Sequence, residues 1–239
     1  MEHSLHKKLK EVYCTDGSTI EVPFGDYRID VVSRDSTLIE IQHGSLSAIK
    51  PKCIELLAEH KMHVVKPLIR SKQLVKLDKK GGDVLSTRRS PKTGRWLDAF
   101  EELIYFSDVF PHKNLTLEFL LVDVREIRFA GHGRRRRRRE NDFQVEDLEL
   151  VDIVDSVTMT KATDLFQWLP FEEIPKKFDT SELAECMSEN RSDVQKITYC
   201  LRETGAIRQT GKRGNAILYE RPIRRRKVKA SKSRRISVG

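Results

Sequence analysis

Asp30 and Glu40 are the side chains best placed for chemistry, within the stretch DYRIDVVSRDSTLIEIQ that runs from Asp26 to Gln42. Residues two apart on a strand share a face. Glu40 and Gln42 therefore point together, while Ile39 and Ile41 point the other way into a core. Asp30 belongs to the preceding strand, beyond the turn Arg34-Asp35-Ser36, and pairing of the two strands brings its carboxylate close to that of Glu40. Adjacent carboxylates repel and call for a cation or a shared proton. Hard oxygen donors suit Mg2+ or Mn2+, which positions and polarises a phosphodiester and activates a water. The same spacing also fits an edge hairpin whose acids only face solvent.

Asp30, followed after nine intervening residues by Glu40-Ile41-Gln42, resembles the motif of the restriction-endonuclease-like PD-(D/E)xK superfamily. The form IDVV…LIEIQ, with Ser45, Ser47 and a helix after it, is similar to the nuclease-like domain of a bacterial competence protein. The resemblance spans about residues 1–75. It implies an α/β fold with a mixed sheet flanked by helices, and metal-dependent hydrolysis of phosphodiester bonds in DNA. It also implies Asp30 and Glu40 as metal ligands, assisted by a carboxylate of the first helix, here Glu11. The third motif position is usually lysine, but this chain has Gln42. Either the Gln42 amide orients the water or a lysine arrives from elsewhere, with Lys50 and Lys52 on the following helix as candidates. Both lysines are more readily read as ordinary phosphate-contacting or solvated charge, and a loop histidine such as His43 is more often a bystander than a base.

The elements that must hold these residues are visible in the pattern. Leu5, Leu9 and Val12 predict an amphipathic helix over residues 3–14. Strands follow at Thr19–Val22, Tyr27–Val32 and Thr37–Gln42, then a helix from Ser47 to His60. Strands at 62–66, 72–78 and 84–88, a helix over Leu97–Tyr105, and strands at Leu115–Phe129 and Val145–Val154 complete an α/β unit. Between the last two lie six consecutive arginines, Arg134 to Arg139, so this pair reads as a long hairpin with a basic tip.

A different pattern begins near residue 160. Asp179-Thr-Ser-Glu182 starts one capped helix and Ser192-Asp-Val-Gln195 another, with Val194, Ile197 and Leu201 on one face and Gly205 as a C-terminal cap. Ile207–Thr210 and Ala216–Tyr219 flank the basic tip Gly211-Lys-Arg-Gly-Asn215. Helix, short turn, capped helix and basic hairpin is the order of a winged helix-turn-helix. Gln195, Lys196, Tyr199 and Arg202 are then expected to face a major groove, with Lys212 and Arg213 on phosphates. A winged helix can equally serve protein contacts.

Charge agrees with a polyanionic partner. The chain carries 45 Lys and Arg against 36 Asp and Glu, a net +9, and Arg221–Gly239 alone holds nine basic residues and no acid. Such blocks bind phosphates by counterion release, without reading sequence; Arg134, Arg135, Arg136, Arg224, Arg225 and Arg226 are placed there. The loop Arg88-Arg89-Ser-Pro-Lys92-Thr-Gly-Arg95 could clamp a backbone, with Trp96 either stacking on a base or capping the core. No apolar run is long enough for a membrane helix. The four cysteines are dispersed, so reduced thiols in a cytoplasm are expected. The expected organisation is a nuclease-like domain (1–130), a basic hairpin or linker (131–159), a winged helix-turn-helix (160–222) and a basic tail (223–239). The expected function is a DNA endonuclease or nuclease-like DNA-processing protein. A DNA-binding regulator on a silent nuclease scaffold and an RNA-binding factor are the alternatives.

Overall fold

The computed structural model describes residues 3–131 and 143–222. Strands β1 (Thr19–Phe24) and β2 (Tyr27–Val32) form a hairpin whose turn requires the positive φ of Gly25. Strand β3 (Leu38–Ile41) runs antiparallel to β2 and parallel to β4 (Met62–Leu77), and β6 (Leu115–Ala130) is parallel to β4. Strand β7 (Phe143–Met159) returns antiparallel along β6, and β5 (Val84–Arg89) pairs with the second half of β4. The order across the sheet is β1-β2-β3-β4-β6-β7, with β5 beside β4. Residues 143–159, expected within a hairpin or linker, thus form the last strand of the large sheet.

Parallel neighbours need crossovers. The β3–β4 crossover is a 3-10 turn (Leu46–Ile49) running into helix α2 (Lys50–Leu56); the β4–β6 crossover contains a 3-10 turn (Trp96–Asp98) and helix α3 (Ala99–Leu103). Both helices bury their apolar faces on one side of the sheet. Helix α1 (Ser4–Tyr13) covers the other side, where Leu5 and Leu9 pack on Val31, Ile39, Ile41 and Val65. The protein is therefore a mixed α/β structure with a large mixed sheet flanked by helices.

One expectation differs. The pattern suggested separate strands at 62–66 and 72–78, yet β4 runs unbroken through Pro67 with a register shift between Ile69 and Ser71. The reason is the geometry of its neighbours. Gln42 N donates to Val65 O at 2.8 Å, so residue 65 bonds toward β3, and Pro67, two further on, faces the same side. Strand β3 has already ended there, so the missing proline N–H costs no ladder bond.

Beyond β7 come a 3-10 segment (Ala162–Trp168), β8 (Lys177–Phe178), α4 (Thr180–Met187), α5 (Arg191–Glu203) and the hairpin β9 (Arg208–Arg213) to β10 (Ala216–Glu220). Asp179 caps α4 through the N–H groups of Ser181 and Glu182, and Glu182 bonds back to Asp179 N. Strand β10 is central in a small sheet, β8-β10-β9. This module has no core of its own. Val194, Ile197 and Leu201 of α5 join Phe100, Leu103, Leu117 and Phe119 in one continuous cluster, and the Cys200 thiol donates to Phe100 O at 3.4 Å. Phe100→Ala, at the centre of that contact, is expected to cost about 3–5 kcal/mol. Denaturant unfolding followed by both tryptophan emission and circular dichroism should show a single transition that moves as a whole; separate transitions would contradict the shared core.

Candidate functional site

The β2–β3 ladder pairs Val32 with Leu38 and Val31 with Ile39, and then stops. Continuing it would set Asp30 opposite Glu40. Instead the Asp30 carboxylate takes the Ile41 N–H at 2.8 Å, substituting for a backbone acceptor as the strands separate. His6 of α1 contacts the same Asp30 oxygen, 3.1 Å away. Burial alone would raise the Asp30 carboxyl, but the His6 contact and the Ile41 N–H outweigh it and hold the group below the ordinary carboxylate value.

Glu40 points toward the α2 side, buried among apolar neighbours. Its carboxylate accepts from Lys52 Nζ at 2.6 Å, and the same ammonium donates to Arg28 O at 2.6 Å. Burial first, and the Asp30 charge second, lift the Glu40 carboxyl above its usual value despite Lys52. Lys50 goes elsewhere and pairs with Asp108 at 2.5 Å. The core stripe of this helical segment is Ile49, Cys53 and Leu56. Residues two apart lie about 200° apart around a helix, so Lys50 and Lys52 sit on opposite flanks and only one can reach the sheet.

Gln42 does not face the carboxylates. Its amide donates to Ser45 O at 2.7 Å and closes the loop after β3. That loop is pinned from below: Lys66, almost fully buried, donates to Gly44 O at 2.5 Å, while Glu102 of α3 accepts from Leu46 N at 2.9 Å and pairs with Lys66 at 3.0 Å. Burial depresses the Lys66 ammonium and Glu102 opposes the shift. His43 is held below the ordinary histidine value by burial and by nearby Lys66 and His3.

Glu11, expected as the helix carboxylate, is exposed and lies 3.5 Å from Lys8. Leu5 and Leu9 face the sheet, and His6 lies on the flank that meets Asp30, with Glu11 on the other. The signal for His6 was its position beside Leu5 at the start of the helix; nothing in its type announced it. Among the described residues no group of three or more His, Cys, Asp or Glu side chains has the arrangement of a metal site. Two carboxylates alone match the preference of Mg2+ for a few protein oxygens, with water and phosphate completing its shell.

The basic positions are sorted more severely than the sequence suggested. Arg88 and Arg89 are exposed on β5, and Lys92 is exposed in the loop beyond it. Arg95 is drawn across to Glu189, with Nη2 at 2.8 Å from Oε2, instead of projecting to a ligand. The loop is fastened to β4, for Gly94 N donates to Arg70 O and a Cβ at Gly94 would meet Ile69 O at 2.1 Å. Trp96 stacks on Trp168 with centroids 5.8 Å apart, so it caps the core. Lys196 pairs on the surface with Glu101 at 2.8 Å and Asp193 at 3.1 Å, and Arg213 is held by Asp179 and Glu182. Gln195, Tyr199 and Lys212 are exposed, while Arg202 binds its neighbour Glu203. Arg134, Arg135, Arg136, Arg224, Arg225 and Arg226 lie outside the described residues.

Residues 3–160 match the family model of the domain of unknown function DUF8091. The chain belongs to that family. The DUF8091 segment ends where β7 ends, so it contains the whole large sheet together with Asp30, Glu40 and Lys52, while α4, α5 and the β9–β10 hairpin follow it. Over 220 residues the chain is 27% identical to an uncharacterized protein of Treponema pallidum (strain Nichols), a match covering 92% of this chain and 85% of that protein. No solved structure matches.

The depressed Asp30 carboxyl makes the DUF8091 fold acid-sensitive. Its contribution is present above the ordinary carboxylate value of 3.8 and is lost as pH falls through the lower folded-state value. Asp30→Asn keeps an acceptor for Ile41 N–H but removes this titration. Melting temperatures measured in EDTA from about pH 5 to about pH 2 should fall less in the variant than in the parent; an equal fall would place the acid sensitivity elsewhere.

Proposed function

We propose that this protein is a metal-dependent deoxyribonuclease, with a restriction-endonuclease-like large sheet as its catalytic body and a winged helix-turn-helix as its DNA-holding module. The observation that carries the reading is Lys52 Nζ at 2.6 Å from Glu40 Oε2, on the strand next to Asp30. Lys52 of α2 stands in this reading for the lysine absent at position 42, which favours catalysis over a silent scaffold. The order of α4, α5 and the β9–β10 hairpin, with nine basic residues in Arg221–Gly239, supports the nucleic-acid partner. No helix among the described residues is long and apolar enough to cross a membrane. Four free cysteines accord with a reducing cytoplasm.

Asp30 and Glu40 would hold the Mg2+ or Mn2+ ion. When bound there, it polarises the phosphodiester and acidifies a coordinated water. The protein groups divide the remaining work. Glu40 is raised by burial and by Asp30, so the pair would gain from a bound cation. Lys52 has three N–H donors, of which Glu40 and Arg28 O take two, leaving one for the attacking water or a phosphate oxygen. Its charge then faces the negative charge that grows in the transition state. His6 fixes the Asp30 carboxylate, and the Lys66–Glu102 pair fixes the loop that leads into α2.

Cleavage of supercoiled and branched DNA with Mg2+ or Mn2+ tests this. Glu40→Ala and Lys52→Met are expected to lose about 100-fold or more, whereas Lys50→Ala stays near the parent. Full activity in Lys52→Met would overturn the lysine's role. Tight binding without cutting by the parent protein would leave a DNA-binding scaffold, and preference for RNA over duplex DNA would move the reading to RNA.

A further inference from the structure

Several surface cations of this protein are neutralised. Arg95, Lys196, Arg202 and Arg213 each meet a carboxylate. The groove between α5 and the β9–β10 hairpin holds Arg202, paired with Glu203, together with a cation that has no such partner. It encloses about 310 Å3, at the small end of the roughly 300–1,000 Å3 typical of ligand sites. Arg191 lines it and makes no ion pair among the described residues, and the side-chain amides of Gln195 and Asn215, also on its walls, make no hydrogen bond among them. The carboxylate on its rim, Asp179, is occupied by the α4 cap and Arg213. Tyr199, 41% exposed, follows Arg191 and Gln195 along the same face of α5 with the Arg202 guanidinium 5.5 Å from its ring centroid, and Ile217 and Tyr219 on β10 add an apolar wall.

An exposed aromatic plane and an apolar wall, with unengaged amide donors and acceptors and an unneutralised guanidinium in the same groove, match one unit of a nucleic-acid strand. The ring offers a stacking face to a base, the amides can meet its hydrogen-bonding edge, and Arg191 can meet the adjoining phosphate. A paired base cannot enter, because its edge is engaged and its faces are stacked. We propose that this groove is a single-nucleotide site that holds one unpaired, unstacked DNA nucleotide, with Tyr199 as its stacking platform. The proposal rests on the nucleic-acid reading of the previous section and adds the substrate class: DNA carrying an unpaired nucleotide, from a bulge, a flap or a branch.

The test uses the full chain in EDTA, so that cleavage plays no part, and two short duplexes that differ only in whether a 2-aminopurine is bulged or paired. The bulged duplex should bind about tenfold more tightly, with its 2-aminopurine emission quenched by stacking. Tyr199→Ala should abolish both the preference and the quenching while keeping the parent's melting temperature, with a larger loss of affinity for the bulged duplex than for the paired one; Tyr199→Trp should restore the preference and the quenching. Equal binding of the two duplexes, or a preference that survives in Tyr199→Ala, would overturn the groove assignment and leave the nuclease reading standing. Failure to bind either duplex would overturn both. Tighter binding of the same bulged duplex made as RNA would overturn the assignment to DNA.

Discussion

The bond from Ile41 N–H to the Asp30 carboxylate is where this structure turns from a sheet into a site. A strand pair that continued its ladder would keep Asp30 and Glu40 in register on a flat surface, each free to reach solvent. Because a side-chain oxygen replaces the backbone acceptor, β2 separates from β3 while Asp30 stays anchored between them. Buried N–H groups must be satisfied, so the carboxylate is both a structural acceptor and a functional group. The opening admits Lys52 from one face and His6 from the other, and each meets one of the two acids. Two acids close together in a partly buried position are tolerable only with this cationic and hydrogen-bonding support.

The support extends outward through α3. Within three consecutive residues, Phe100 O accepts from Cys200, Glu101 pairs with Lys196, and Glu102 pairs with Lys66 and caps Leu46 N. A five-residue helix would be unstable alone. It persists because it is wedged between the large sheet and α5, and it thereby ties the loop preceding α2 to the C-terminal module. The large sheet and that module therefore share one core.

Charge on this protein has to be read pair by pair. Several arginines and lysines that suggested a phosphate surface are committed to carboxylates brought near by folding. Arg95 reaches Glu189 and Arg213 reaches Asp179, partners 94 and 34 residues away in sequence. What remains unpaired in the groove beside α5 is therefore more informative than the total of nine net charges.

Local pattern determined much of this protein. The apolar period of α1 and α5, the alternation in β2 and β3, the capping box at Asp179 and the adjacency of Asp30 and Glu40 were all legible, because each depends on residues within a few positions of one another. Tertiary structure decided the rest. Lys50 and Lys52 flank the same helical stripe symmetrically in sequence, and only the placement of α2 against β3 selects Lys52. His6 instead of Glu11 meets Asp30 because of how α1 is rotated on the sheet. Pro67 sits within a continuous strand, harmless because β3 has already ended there. Trp96 and Lys196, equally plausible as ligand contacts, are consumed by Trp168 and Glu101. In each case the deciding partner lies far along the chain, and periodicity carries no information about which distant group will be there.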